Sequence, residues 1–178
     1  MAGHGGIHDE HPFAPPPELR DPVRRFRGRL SSPVTVVTSG GPGAWTGLTV
    51  SSLMVAEGEP SRFYFLAGTT SDLWYAIEET GVFVVHVLEE PHAAIAQAFA
   101  GLRPSPGGPF AGLEVVDGRW GPELVGLPTR LYCRFQSHTE TTYHALVEGI
   151  IERVDLDDLT RPLQYFRGAF RRLSQKEE

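Results

Sequence analysis

Three hydroxyl side chains, Thr49, Ser51 and Ser52, fall within four positions of the stretch GLTVSSL, residues 47–53, inside a long apolar run of strand-forming residues. A hydroxyl buried without a partner costs about 1–3 kcal/mol. Three so close together mark either a sheet face open to water or a place where a bound group supplies hydrogen bonds. A second hydroxyl cluster, Thr69-Thr70-Ser71, precedes a segment with helical spacing. A helix N-terminus has unpaired N–H groups and a positive dipole end, so hydroxyls beside it complete a site for an anion. A phosphate near Ser71 and a ring system along 49–52 would occupy both clusters at once. The competing account is structural: Ser71 caps its helix, and Thr49 and Ser51 face water. On the residues alone both accounts stand.

Other chemistry is sparse. G-x-S-x-G, G-x-x-x-x-G-K-[ST] and H-E-x-x-H are absent. GPGAWTG has the glycines but not the strand–turn–helix setting of a dinucleotide fold. The seven histidines are scattered. His138 and His144 share one predicted hairpin, but a zinc site needs further ligands. His4, His8 and His11 lie in a Gly- and Pro-rich stretch whose spacing fits no fixed geometry. Cys133 is the only cysteine, which excludes an internal disulfide and a multi-thiolate zinc site. No metal site is expected.

The elements that must position these residues follow from pattern. The chain has 178 residues, 40% hydrophobic and 21% charged, which suits one globular domain. Its net charge of −6 argues against general nucleic-acid binding. The cluster Arg24, Arg25, Arg27 and Arg29 reads as a solvated helix face. No secretory signal or membrane-spanning run is visible, so a cytoplasmic location is the expectation. Residues 1–17 read as a disordered tail, and 18–174 as the domain.

A helix is predicted over 18–30, with Asp21 as N-cap, Pro22 at its first position, and Val23, Phe26 and Leu30 on one face. PVTVVTS then starts a strand, and GGPG at 40–43 turns it into a second long strand, 45–56. RFYFLA is a third strand. A helix capped by Ser71 and ended by Gly81 buries Leu73, Trp74 and Ile77. VFVVHVL is a fourth strand, and a second helix follows Pro91. Weak strands at 113–116 and 119–120, a hairpin over 129–155 and a closing aromatic strand within 162–173 complete the chain. Strands outnumber helices and most neighbours are joined by tight turns. This predicts a mainly β protein, an antiparallel barrel with short peripheral helices.

The order PVTVVTS, GLTVSSL, SDLWYAIEETGVFVVHVL, HAAIAQAFAG, YHALVEGIIERV, PLQYFRGAFRRL resembles the flavin reductase-like family, over about residues 24–173. The resemblance implies an FMN-binding split antiparallel β-barrel. It implies flavin contacts at Thr49, Val50, Ser51 and Ser52, a phosphate at Thr70 and Ser71, and passage of the flavin near Ala98, Phe99 and Ala100. It places His144, ahead of Gly149, at the nicotinamide, with Thr142-Tyr143 where the family has Gly-Asp. Arg167-Gly168 matches the family's closing Arg-Gly-aromatic strand, which implies that Arg167 reaches the active site at the nicotinamide or substrate. Glu59-Pro60-Ser61 replaces a common Pro-Pro pair, and His86 stands where Asn is frequent. His86 is expected first as a sheet residue and secondarily near the flavin or a dimer interface.

The activity so implied is NAD(P)H-dependent reduction of FMN or FAD. A hydride passes from nicotinamide C4 to flavin N5, and reduced flavin serves a partner monooxygenase or another acceptor. No acid–base triad is required. The resemblance also implies a homodimer, with which the aromatics Phe166 and Phe170 are compatible. An alternative from another class is a non-catalytic flavin- or haem-holding split barrel acting as a redox sensor or carrier. A barrel without any cofactor is the third reading.

Overall fold

A computed structural model describes residues 21–173; the tail expected at 1–17, with His4, His8 and His11, lies outside them. The first helix, α1 (Pro22–Arg27), starts as its sequence dictates. Asp21 Oδ1 accepts from the N–H of Val23 at 2.8 Å, and Pro22 opens the helix. It is shorter than the 18–30 pattern predicts, and among the described residues nothing covers its apolar face. Val23, Phe26 and Leu30 are 75%, 64% and 54% exposed.

The main sheet has seven strands. In chain order they are β2 (Thr35–Ser39), β3 (Thr46–Val50), β4 (Leu53–Ala56), β5 (Arg62–Gly68), β6 (Val82–Val87), β9 (Arg130–Glu140) and β10 (His144–Asp155). Their order across the sheet is β3-β2-β6-β9-β10-β5-β4, all antiparallel. The two end strands, β3 and β4, are consecutive in sequence and separated only by Ser51-Ser52. The sheet therefore curls until its first and last strands run into one another, which is a closed, split barrel. The Leu66 N–H seals the junction by donating to the Ser52 carbonyl at 3.1 Å.

Two expectations are corrected here. The single strand predicted over 45–56 breaks at Ser51-Ser52, because one strand cannot serve both ends of a curled sheet without a sharp bend. The single closing strand is a hairpin, β11 (Gln164–Phe166) and β12 (Ala169–Arg171), turned by Arg167 in left-handed backbone, φ 53°. With β1 (Ser32–Pro33) it forms a small separate sheet. The weak strands are β7 (Val115–Gly118) and β8 (Gly121–Leu124), paired with each other.

Alternation along β5 puts Phe63, Phe65 and Ala67 inside the barrel with Val37, Val50, Phe83, Val85, Cys133 and Val147. The helix α2 (Asp72–Thr80) adds Leu73, Trp74 and Ile77 to this core and ends at left-handed Gly81, φ 72°. Gly149 has no room for a side chain, since a Cβ there would collide with the Phe83 ring. A second core lies outside the barrel wall. There Val34, Val36, Leu88, Leu124, Leu163 and Phe170 meet helix α3 (Ala93–Phe99) through Ala96 and Phe99.

His86 belongs to this outer core. It is fully buried and sits opposite Val36 in the β2–β6 ladder. Its Nδ1 lies 3.2 Å from the Val36 carbonyl, and its Nε2 accepts from the Leu124 N–H at 3.1 Å. Those two contacts select the neutral imidazole with the proton on Nδ1. Burial pushes its pKa down from 6.5 to about 3, the Val36 hydrogen bond opposes this, and the Arg130 charge adds to it. His86 thus ties β2, β6 and β8 together as a sheet residue, the first of the two expectations for it.

Candidate functional site

The break between β3 and β4 is where backbone groups go unused. The Val50 carbonyl accepts from the Thr35 hydroxyl at 2.9 Å, and the Ser52 carbonyl takes the Leu66 N–H. Among the described residues, no hydrogen bond engages the Ser51 or Ser52 N–H, or either serine hydroxyl. Both residues are half-buried. No buried side-chain polar atom of the described residues lacks a partner, so the two hydroxyls open outward. Two successive N–H groups and two hydroxyls in one short bend make a cradle suited to the polar edge of a planar ligand.

The other candidates gather around the same end of β5. Leu66 bonds Ser52, and two residues further on, about 7 Å along the strand, Gly68 pairs with His144 at the start of β10. His144 is exposed, and its backbone closes the β9–β10 turn. Its carbonyl accepts from Thr141 Oγ1 at 2.7 Å, and its N–H donates back to that hydroxyl at 3.2 Å. From Gly68 the chain runs into Thr69, Thr70 and Ser71. The Ser71 hydroxyl is a helix cap: it donates to the Gly68 carbonyl at 2.8 Å and accepts from the Trp74 N–H at 3.3 Å. The N–H groups of Asp72 and Leu73, in the first turn, have no partner within the helix. They and the exposed Thr70 hydroxyl are the donors left for an anion, while Asp72 already sets a negative charge there.

On the opposite side of β3 lies α3. Ala98 and Ala100 are half-buried at its end. Phe99 is 3% exposed, with its ring edge over Gly47 and against Phe110. Val50 is 3% exposed and points into the barrel core. The Thr49 hydroxyl donates to the Ala96 carbonyl at 2.6 Å. Arg167 stands elsewhere: its N–H donates to the Gly28 carbonyl at 2.9 Å and its guanidinium lies 5.2 Å from the Phe166 ring. The structure thus brings Ser51, Ser52, Thr70, Ser71 and His144 to one end of the sheet, and sets Arg167 on the small hairpin beside α1.

Two groups with chemical potential are sealed off. Cys133 is fully buried, and burial pushes its thiol far above the ordinary range, with the Glu152 charge adding to this. His86 has both ring nitrogens engaged. Among the described residues no group of three or more His, Cys, Asp or Glu could hold a metal ion, and no helix is long and apolar enough to cross a membrane. Sequence reasoning missed Thr35, which quenches the Val50 carbonyl, and Gly47, which admits Phe99. A glycine inside a strand is a known sign of close approach; nothing in the sequence pairs Thr35 with Val50.

A curled antiparallel barrel with an open donor cradle at its closing bend, flanked by two helices, defines a split-barrel ligand binder. The flavin reductase like domain family matches residues 27–174, and the chain belongs to that family of oxidoreductases. It is 30% identical over 157 residues to the flavin-dependent monooxygenase, reductase subunit HsaB of Rhodococcus jostii, covering 86% of this chain and 78% of that one. To the 4-hydroxyphenylacetate 3-monooxygenase reductase component of Thermus thermophilus it is 28% identical, over 87% and 97% of the two chains. Among solved structures, the NADH:FAD oxidoreductase SgcE6 of Streptomyces globisporus C-1027 superposes with a TM-score of 0.78 at 26% identity, over 90% of this chain and all of that one.

Proposed function

We propose that this protein transfers hydride from a reduced nicotinamide, NADH in the first instance, to FMN or FAD, and hands the reduced flavin to a monooxygenase. The observation that carries the reading is the unused donor set at Ser51-Ser52, inside a fold that belongs to the flavin reductase-like family. Flavin, when bound, supplies the hydride acceptor. The N–H groups and hydroxyls of Ser51 and Ser52 hold the polar edge of its ring system. Thr70 and the first N–H groups of α2 hold its phosphate, with Ser71 shaping that turn. Ala98 and Ala100 line the α3 side, where small side chains leave room for a flat ring. His144, across from Gly68, stands by the nicotinamide. Arg167 is assigned to the nicotinamide by family resemblance alone.

Direct hydride transfer needs alignment of two rings, not a proton relay. The names of the relatives support NADH as donor and a monooxygenase as recipient. A homodimer is part of the proposal. The uncovered side chains of Val23, Phe26 and Leu30, and of Met54 and Val55 on β4, are surface that a second copy would bury.

The test is anaerobic absorption spectroscopy of the purified protein with FMN or FAD, adding NADH and NADPH in turn. Bleaching of the flavin band within the time of turnover supports the reductase and names both flavin and donor. A retained flavin that neither nicotinamide reduces refutes it in favour of a flavin-holding sensor or carrier. The Thr142-Tyr143 departure beside His144 is the observation that favours that second reading.

A further inference from the structure

The outward face of β3 meets the segment that runs from α3 into the loop beyond it, at three positions spaced by two. Thr49 Oγ1 donates to the Ala96 carbonyl at 2.6 Å. At Gly47 an added Cβ would stand 2.7 Å from the Phe99 ring. Trp45, just ahead of the strand, packs on Phe110 with ring centroids 5.8 Å apart, and Phe110 meets Phe99 edge-on at 4.9 Å. Leu48 and Val50, of opposite parity, belong to the barrel core. The strand thus uses one face to close the barrel and the other to dock a helix.

The consequence concerns Thr49. Its single hydroxyl proton is committed, at short range, to the α3 backbone, whereas Ser51 and Ser52 keep theirs. The Ala96 carbonyl also receives the Ala100 N–H at 3.0 Å, so Thr49 fastens the turn of α3 that carries Ala98 and Ala100. We propose that Thr49 is a positioning residue. Through Ala96 it fixes the gap between the Ala98–Ala100 wall and the Ser51-Ser52 cradle, and Gly47 sets how closely α3 approaches. The gap's catalytic meaning rests on the flavin reading above; the docking of α3 does not.

Thr49→Val, Thr49→Ser, Gly47→Ala and the double variant Thr49→Val/Gly47→Ala test it. Three readouts are needed: kcat and KM for flavin, the absorption spectrum of bound flavin, and amide hydrogen exchange at Ala100 and Leu102. Thr49→Val should raise the flavin KM by up to about tenfold, the upper range for one lost neutral hydrogen bond. Its kcat and flavin spectrum should stay as in the wild type, and exchange at Ala100 and Leu102 should speed up. Thr49→Ser should restore the flavin KM and the exchange rates. The double variant should be no worse than its weaker single parent, because both changes loosen one contact. An altered flavin spectrum or a fallen kcat in Thr49→Val, with α3 exchange unchanged, overturns the proposal and makes Thr49 a flavin contact. Failure of the wild type to take up flavin overturns the catalytic half along with the functional reading. The exchange data then decide the docking half alone.

Discussion

Lowering the pH should destabilise this fold through His86. The ring is fully buried, and its neutral form satisfies both partners: Nδ1–H donates to the Val36 carbonyl and Nε2 accepts from the Leu124 N–H. A second proton would go on Nε2, turning an acceptor toward a donor and placing a charge in an apolar core near Arg130. The folded pKa of about 3 lies below the unfolded value of 6.5. The unfolded chain therefore binds the extra proton first. Stability from this group is complete above pH 6.5 and is lost as pH falls toward 3. The slope is about 1.4 kcal/mol per pH unit, which amounts to about 3 kcal/mol by pH 4.5. That is a large share of the roughly 5–15 kcal/mol that holds a domain together. Urea unfolding at pH 7.5, 6.5, 5.5 and 4.5 measures it, in the wild type and in His86→Gln. The substitution removes the titration and costs about 1–3 kcal/mol at neutral pH, the range for a buried polar group that loses a hydrogen-bond partner. Carboxylates and the other histidines titrate equally in both proteins, so the difference between the two curves isolates His86. Parallel curves below pH 6.5 would refute the argument, because they would mean that His86 is protonated equally easily in the folded and unfolded chain.

The remaining predictions concern the site. Ser51→Ala and Ser52→Ala should each weaken flavin binding by about 2- to 12-fold, the range for one neutral hydrogen bond, with unchanged melting temperature; calorimetric titration checks this. Ser71→Ala removes a cap that both donates to Gly68 and accepts from Trp74, so it should cost about 1 kcal/mol of stability by urea unfolding. If the α2 end holds phosphate, the same variant should discriminate less well between FMN and riboflavin. His144→Ala should raise the KM for the nicotinamide and leave the flavin dissociation constant unchanged, because the side chain is exposed and only its backbone closes the turn; steady-state kinetics with each substrate varied separates the two.

Local signals were legible wherever one residue type has one structural use. Asp21-Pro22 opens α1, Ser71 caps α2, Gly81 ends it, and the alternation of RFYFLA gives β5 its inner and outer faces. Long-range partners were not. PLQYFRGAFRRL carries one turn signal, Gly168, which takes left-handed backbone beside Arg167 (φ 83° and 53°), but a lone glycine within an aromatic run reads equally as a bulge in one strand. Val23, Phe26 and Leu30 have the spacing of a buried stripe, yet α1 has only six residues and, among the described residues, no neighbour covers them. The hydroxyls of GLTVSSL divide in a way no periodicity contains. Thr49 is spent on a backbone carbonyl 47 residues away, while Ser51 and Ser52 stay open.

That division follows from how the barrel closes. A strand that ends one side of a sheet and begins the other must bend, and residues at the bend leave the ladder. Their N–H groups then have no neighbour to donate to, unless a side chain or a ligand reaches them. Here the Val50 and Ser52 carbonyls are satisfied, by the Thr35 hydroxyl and by the Leu66 N–H, so that two N–H groups, two hydroxyls and the Ser51 carbonyl are left over. A ligand that suits such a surplus offers acceptors along an edge, as the carbonyl and ring-nitrogen edge of an isoalloxazine does. On the proposed reading, closing the barrel and cradling a flavin are two consequences of one bend. A substitution that straightened it, by restoring ladder pairing through Ser51 and Ser52, would then remove the proposed flavin site and open the barrel together.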